Sequence, residues 1–266
     1  MLNIDEAFGD NFPSLARQFT LKGFQKSAIE NIITQGNTLC IMPTGGGKSL
    51  IYWMAGIISG GIAIVISPLI ALIDEQAEKI AEHGFEVLTI HGGMDSAKQA
   101  SVLKDFANKA INPKFIFVSP EKIATDGLFE YCIRERKDEI TLFVIDEVHC
   151  VSQWGTSFRP FYKRIPDFLD CIYDEDGEQR PSILALTATL NPKEVGEICE
   201  HFNIKRTNII KDNLLIRSEI SLKVLQFINE NEKEDKLWEL IKIHRDEKIL
   251  VYVYRIGSER GVEKMA

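Results

Sequence analysis

Seven consecutive residues, Pro43-Thr44-Gly45-Gly46-Gly47-Lys48-Ser49, form a pattern suited to phosphate. An apolar run that reads as a strand, Thr38–Met42, leads into them, and a stretch compatible with a helix follows. Three glycines let consecutive backbone N–H groups turn inward around phosphate oxygens, and the helix behind them presents its positive end. Lys48 is spaced to reach the outer phosphates, while Ser49 offers a hydroxyl to magnesium. Thr44, Gly45, Gly46, Gly47, Lys48 and Ser49 are therefore candidate nucleotide ligands. The strict Gly-x4-Gly-Lys-Ser pattern fails at its first position, where this chain has Met42.

A second chemical group lies at the end of another apolar run, Phe143-Val144-Ile145-Asp146-Glu147-Val148-His149. Acids at the carboxyl end of a parallel strand face the same crevice as a phosphate loop. Asp146 can hold magnesium through water, and Glu147, one residue on, can polarise an attacking water. Asp146 would also serve as a helix N-cap. A cap alone, however, does not explain two acids delivered by an apolar strand opposite a phosphate loop.

These groups need a frame, and the rest of the chain supplies one. With 266 residues, 45% apolar and 26% charged, the chain can bury a core in one large domain, or one plus a fraction of another. Short apolar runs alternate with amphipathic stretches, the signature of βαβ units. Expected strands are Thr38–Met42, Ile62–Ile66, Val87–Ile90, Lys114–Val118, Thr141–Ile145 and Ser182–Leu186. Expected helices include Leu69–Glu82, Ser96–Lys109, Leu128–Arg136, Phe161–Cys171 and Pro192–His201. Residues 173–180 read as a solvated acidic loop. Ser49–Ile73 carries no charge over 25 residues, but Gly60-Gly61 and Ser67-Pro68 cut it into a helix tail, a strand and a new helix start rather than a membrane span.

Lysine plus arginine is 31 against 39 acids, a net charge of −8, so any nucleic-acid surface must be local. The five cysteines are at least 18 residues apart, without a CxxC pair for zinc or redox chemistry. A reduced, cytoplasmic setting is the expectation, and the acidic start MLNIDEAFGD is unlike an export signal. His83, His91, His201 and His244 show no metal spacing and are assigned no chemistry.

With these stretches together, the chain resembles the first RecA-like domain of a superfamily 2 helicase of the DEAD/DEAH type, in its RecQ-like group. MPTGGGKSL at 42–50 resembles motif I, SPLIAL at 67–72 motif Ia, VSPEKI at 118–123 the next strand-end motif, DEVHC at 146–150 motif II, and LTATL at 186–190 motif III. SQWGTSFRP at 152–160 resembles the aromatic-rich loop that couples single-stranded DNA to the ATP site in the family. The resemblance implies an α/β fold, a P-loop NTPase domain with a mostly parallel sheet and helices on both faces. It further implies ATP and magnesium as cofactors, and single-stranded or partly duplex DNA as partner.

Residue by residue, the resemblance assigns catalysis to Lys48, Asp146, Glu147 and His149, and magnesium to Ser49 and Asp146. It assigns nucleic-acid contact and coupling to Ser67, Pro68, Trp154, Phe158, Arg159, Thr187 and Thr189. Trp154 and Phe158 have flat faces for bases, and Arg159 can pair with phosphate. A neutral His149, able to donate and accept, would suit a relay with Thr187 or Thr189. Taken alone, those two threonines fit the end of a strand equally well.

Lys22-Gly23-Phe24-Gln25 matches the adenine-reading motif, with Gln25 at the reading position. Lys22 replaces the family's arginine, and Gln18 stands at the register of its stacking aromatic, with Phe19 beside it. Motif II has Val148 where the family has alanine, which is tolerated if the side chain packs inward.

After Ile210 the pattern changes. A strand at Ile220–Phe227, a helix near Lys233–His244 and a strand at Ile249–Tyr254 suggest a first domain over 1–225 and, over 226–266, a linker with the opening elements of a second RecA-like domain cut from a longer parent. In the family the second domain supplies arginine fingers, so nucleotide binding with little turnover is expected here. The tail is a few residues too long between Tyr252 and Ser258 to set the register of motif IV. An RNA-directed DEAD-box-like ATPase and a nucleotide-gated interaction subunit of a larger assembly are the alternatives. The sequence leaves the oligomeric state open.

Overall fold

The computed structural model describes residues 3–151, 160–173, 180–212 and 220–252. Its strands are β1 Thr38–Ile41, β2 Ile62–Ile66, β3 Val87–Ile90, β4 Phe115–Val118, β5 Ile140–Ile145, β6 Ser182–Thr187 and β7 Ile209–Lys211. Its α-helices are α1 Ile4–Asn11, α2 Pro13–Ala16, α3 Gly23–Gln35, α4 Lys48–Ile58, α5 Ile70–Ala81, α6 Ser96–Ala107, α7 Pro120–Thr125, α8 Gly127–Glu135, α9 Ile165–Ile172, α10 Pro192–His201 and α11 Glu230–Ile243. The strands form one sheet in the order β3-β4-β2-β5-β6-β1-β7, with every pair parallel.

Both faces of this sheet are buried, which is why its strands are apolar without polar alternation. On one face Cys40, Val65, Phe117, Val144 and Leu184 pack against α1, α3, α4 and α5. On the other, Leu39, Ile64, Ile116, Phe143 and Ala185 pack against α6 through α10. The charge-free run breaks at Gly60-Gly61 and Ser67-Pro68 as expected, giving α4, β2 and α5. Among the described residues no helix is long and apolar enough to cross a membrane.

Several boundaries differ from expectation. The helix expected at Phe161–Cys171 is a 3-10 turn over Pro160–Arg164 followed by α9, with Pro166 in the first turn, where its missing N–H leaves no bond unmade. Strand β7 is a three-residue edge, too short to give a periodic signal. The largest departure is at Ile220–Phe227 and Ile249–Tyr252, where no strand forms among the described residues. Alternating side chains make a strand only where a neighbouring strand completes the ladder.

The chain divides into two compact units, residues 1–216 and 217–266, nine residues before the boundary expected from the sequence. In the second, α11 is capped by Asn229, whose side chain accepts the Glu232 N–H. Leu222, Val224 and Ile228 are almost fully exposed.

Candidate active site

The loop after β1 is built by backbone demands that glycine meets. Gly45 and Gly47 have φ of +79° and +88°, in the left-handed region that side-chain-bearing residues avoid. Gly46 is buried, and a Cβ there would lie 2.8 Å from Met42 Cε and 2.9 Å from the Pro43 carbonyl. Its N–H donates to that carbonyl (3.0 Å), closing a turn within the loop. Met42, at the position where the strict pattern has glycine, is a core residue beneath this turn. Helix α4 begins at Lys48, so Lys48 and Ser49 occupy its first turn.

The sheet order brings distant motifs beside this loop. Strand β6 lies between β1 and β5, and the Met42 N–H donates to the Thr187 carbonyl at the end of β6 (3.0 Å). At the end of β5, Asp146 donates its N–H to the Ile66 carbonyl of β2 (2.9 Å). Lys48 pairs directly with Glu147, and its Nζ is 3.8 Å from Asp146 Oδ1. Glu147 has φ of +50°, a strained backbone at the point where the strand hands its acids to the crevice. Its N–H donates to Asp146 Oδ1 (3.0 Å). The fully buried Tyr162 donates its hydroxyl to the Asp146 carbonyl (2.9 Å), a support that no motif announced. The sequence carried no signal for it, since Tyr162 is followed directly by the basic pair Lys163-Arg164 and its partner is a main-chain carbonyl.

Electrostatics separate the two acids. Burial pushes Asp146 up, opposed by Lys48. Burial also pushes Glu147 up, but hydrogen bonds from His149 and Lys48 outweigh it and hold the carboxyl at about 2. Glu147 therefore stays anionic at neutral pH.

His149 Nδ1 lies 3.1 Å from both Glu147 Oε2 and Thr187 Oγ1, so motif II and motif III touch through it. Its hydrogen bonds to the Cys150 sulfur and the Glu147 carboxylate push the ring up to about 10. The contacts with the Cys150 sulfur and the Glu147 carboxylate thus favour the charged ring over the neutral imidazole expected from the sequence.

A cavity of about 360 Å3 runs from Gly45, Gly46, Gly47 and Ser49 to Leu15, Phe19, Lys22 and Gln25, with Leu50, Trp53, Gln76 and Lys79 along its wall. Phe19, not Gln18, is among its lining residues. Ser67 and Pro68 follow β2 on the same sheet edge, with the Ser67 N–H donating to the Val118 carbonyl (3.2 Å). Thr187 is buried at the end of β6, and Thr189 lies beyond it, before α10. Trp154, Phe158 and Arg159 lie outside the described residues. The described residues include no cluster of three or more His, Cys, Asp or Glu able to cage a metal. One hydroxyl and one carboxylate, Ser49 and Asp146, fit magnesium, which keeps several waters and takes its remaining ligands from phosphate oxygens.

The profile of the DEAD/DEAH box helicase family matches residues 22–198, about two thirds of the chain. The chain belongs to that family. This DEAD/DEAH box helicase chain is 32% identical over 256 residues to the ATP-dependent DNA helicase RecQ of Bacillus subtilis, a match covering 94% of the chain and 41% of the relative. It is 34% identical over 229 residues to the RecQ-like DNA helicase BLM of Xenopus laevis, covering 77% of the chain and 16% of the relative. The RecQ-like resemblance of its motifs is thus shared by the whole alignable stretch, which spans well under half of either relative. Among solved structures, the DUF1998 helicase MrfA bound to DNA and AMPPNP superposes with a TM-score of 0.60 at 18% identity, over 80% of this chain and 30% of that one. The Pyrococcus furiosus Hef helicase domain gives 0.56 at 20% identity, over 88% and 49%. These likenesses establish the RecA-like α/β fold.

Two departures of the helicase chain from the family pattern have structural answers. Val148 packs fully into the core, so the methyls it adds over alanine stay away from the acids. At Lys22 the backbone N–H caps the first turn of α3 through Gln25, and the side chain lines the cavity without an arginine's planar fork.

Proposed function

We propose that this chain is the ATP-binding lobe of an ATP-dependent DNA helicase or translocase that couples nucleotide hydrolysis to movement on single-stranded DNA. The observation that carries the reading is the convergence of Lys48 with Asp146 and Glu147 at one sheet edge, joined through His149 to Thr187. In a nucleotide complex, Lys48 exchanges its carboxylate partners for the outer phosphates, while the loop and the start of α4 hold the remaining phosphate charge. Magnesium, held by Ser49 and Asp146, would neutralise charge developing on the phosphates. Glu147, freed from Lys48 and anionic, accepts a hydrogen bond from the attacking water and aims it.

The His149–Thr187 contact makes the state of motif II felt on the neighbouring strand, and Ser67, Pro68, Trp154, Phe158, Arg159 and Thr189 are proposed to carry that state to DNA. DNA is favoured over RNA by the relatives, which are named as DNA helicases. We further propose that residues 226–266 hold a linker and the opening of a second RecA-like unit and that the protein acts in the cytoplasm. Comparing ATP hydrolysis by the full-length protein with single-stranded DNA and with RNA of equal length tests the partner: stimulation by DNA alone supports the reading, and stimulation by RNA alone overturns it.

A further inference from the structure

Sequence spacing assigns His91 no chemistry, yet both nitrogens of its ring are engaged in the folded chain. His91 directly follows β3 and is 7% exposed. Its Nδ1 accepts the Gly93 N–H (3.2 Å), and its Nε2 lies 3.0 Å from Oδ1 of Asp74 on α5. An amide N–H only donates, so Nδ1 is the bare nitrogen, and the ring proton sits on Nε2 and is donated to Asp74. The Met94 N–H donates to the His91 carbonyl (3.2 Å), which closes a turn over 91–94.

This clamp joins two stretches at the carboxyl edge of the sheet. The Ser67 N–H donates to the Val118 carbonyl and the Ser119 N–H to the Ile90 carbonyl (3.1 Å), so the ends of β2, β4 and β3 stand in one row. Ser67 and Pro68, proposed above to carry the nucleotide state to DNA, lead into α5, and Asp74 sits one turn into that helix. A Cβ on Gly93 would lie 3.2 Å from His91 Nδ1 and 3.9 Å from Ile70 Cγ2, which places the turn against the start of α5. Gly92 and Gly93 are exposed there, as are Leu69 and Ile70.

A chain of net charge −8 needs a local surface to hold a polyanion. Two exposed glycines let a sugar-phosphate backbone approach the protein backbone closely, provided that the turn is held in place. An unshared carboxylate at the same edge would repel phosphate. Asp74, with 57% of its side chain exposed, is instead engaged by His91. The His91 side chain is only 8% exposed and so is closed to a bound strand, which leaves the clamp intact in a complex.

We propose that His91 is a positioning residue for nucleic acid: held by Asp74, it fixes the Gly92-Gly93 turn beside the Ser67-Pro68 stretch, and that turn meets the sugar-phosphate backbone of a single strand. The inference rests on the DNA-helicase reading above and leaves the nucleotide site untouched. Charge and position pull in opposite directions at Asp74. By charge alone, removing an acid beside a polyanion tightens binding, whereas loss of the clamp weakens it.

The test is fluorescence anisotropy of a labelled single-stranded oligothymidylate titrated with the full-length protein, beside ATP affinity measured on the same samples. Asp74→Ala should weaken DNA binding about three- to tenfold, the worth of one hydrogen bond, with ATP affinity unchanged. Asp74→Asn keeps an oxygen that accepts from Nε2 and should bind DNA at least as tightly as the wild type. His91→Phe keeps a ring but neither hydrogen bond, and should weaken DNA binding at least as much as Asp74→Ala. Unchanged or tighter DNA binding by Asp74→Ala overturns the inference, as does equal weakening by Asp74→Asn and Asp74→Ala. A matching loss of ATP affinity overturns it too, because the clamp would then support the fold at large. If the wild type binds no strand, the DNA-helicase reading fails and the inference fails with it. Asp74 is exposed, so its two variants decide the question even if His91→Phe does not fold.

Discussion

Lys48 carries the chemistry only through its partners. Its ammonium lies between two acids of opposite tendency, Asp146 pushed up by burial and Glu147 held at about 2 against burial. Glu147→Gln keeps the shape and removes the charge. In the full-length protein, nucleotide affinity should stay within about threefold while turnover falls by roughly 10^2- to 10^4-fold, the usual worth of a positioned acid or base. Unchanged turnover would remove Glu147 from the hydrolytic step. Tyr162→Phe deletes the hydrogen bond to the Asp146 carbonyl, at a cost of about 0.5–1.5 kcal/mol in urea denaturation. The same variant should need more magnesium for half-maximal ATP binding. An unaltered magnesium midpoint would mean that Tyr162 supports the core and not the site.

The strands of the sheet were legible because a parallel sheet covered on both faces writes itself as apolar runs, and the six strands expected before Ile210 match β1 to β6 within one residue at each end. The paired acids and the phosphate loop were legible for a related reason: each sits at the end of such a run. The support that Tyr162 gives was not, because it depends on a partner that only the folded chain supplies, the Asp146 carbonyl.

The bend from α8 to β5 was equally invisible. Arg136 is buried there, donating to the carbonyls of Phe106 (3.1 Å) and Ile111 (2.9 Å), to Asn112 Oδ1 (3.0 Å) and to Glu139, with its guanidinium 4.5 Å from the Phe106 ring centroid. Arg136→Ala strands these acceptors and should cost about 3–5 kcal/mol in urea denaturation. The hydrogen bond from Arg136, helped by Lys109 and opposed by burial, holds Glu139 at about 2. A lowered carboxyl stabilises fully above its unfolded value near 4.5 and loses that contribution as pH falls toward 2. Thermal melts should therefore show a smaller loss of Tm between these two pH values for Glu139→Gln than for the wild type. Parallel curves would contradict the pairing.

At the scale of the molecule, residues 1–216 form a unit with its own two-sided core, and in the second unit the described residues 220–228 are mostly exposed and lie outside any helix or strand. Leu222, Leu225 and Phe227 stand there outside any helix or strand, so brief chymotrypsin treatment should cut in that segment first. The larger product should keep nucleotide affinity, and first cleavage within 20–212 would argue against the unit boundary.

The central claim is that the loop at 43–49 and the acids at 146–147 make one nucleotide site. Calorimetric titration of the chain with ATP and magnesium, wild type beside Lys48→Ala, tests it most directly. The account predicts saturable binding by the wild type that is lost in Lys48→Ala. Equal binding by the two, or none by the wild type, would contradict it.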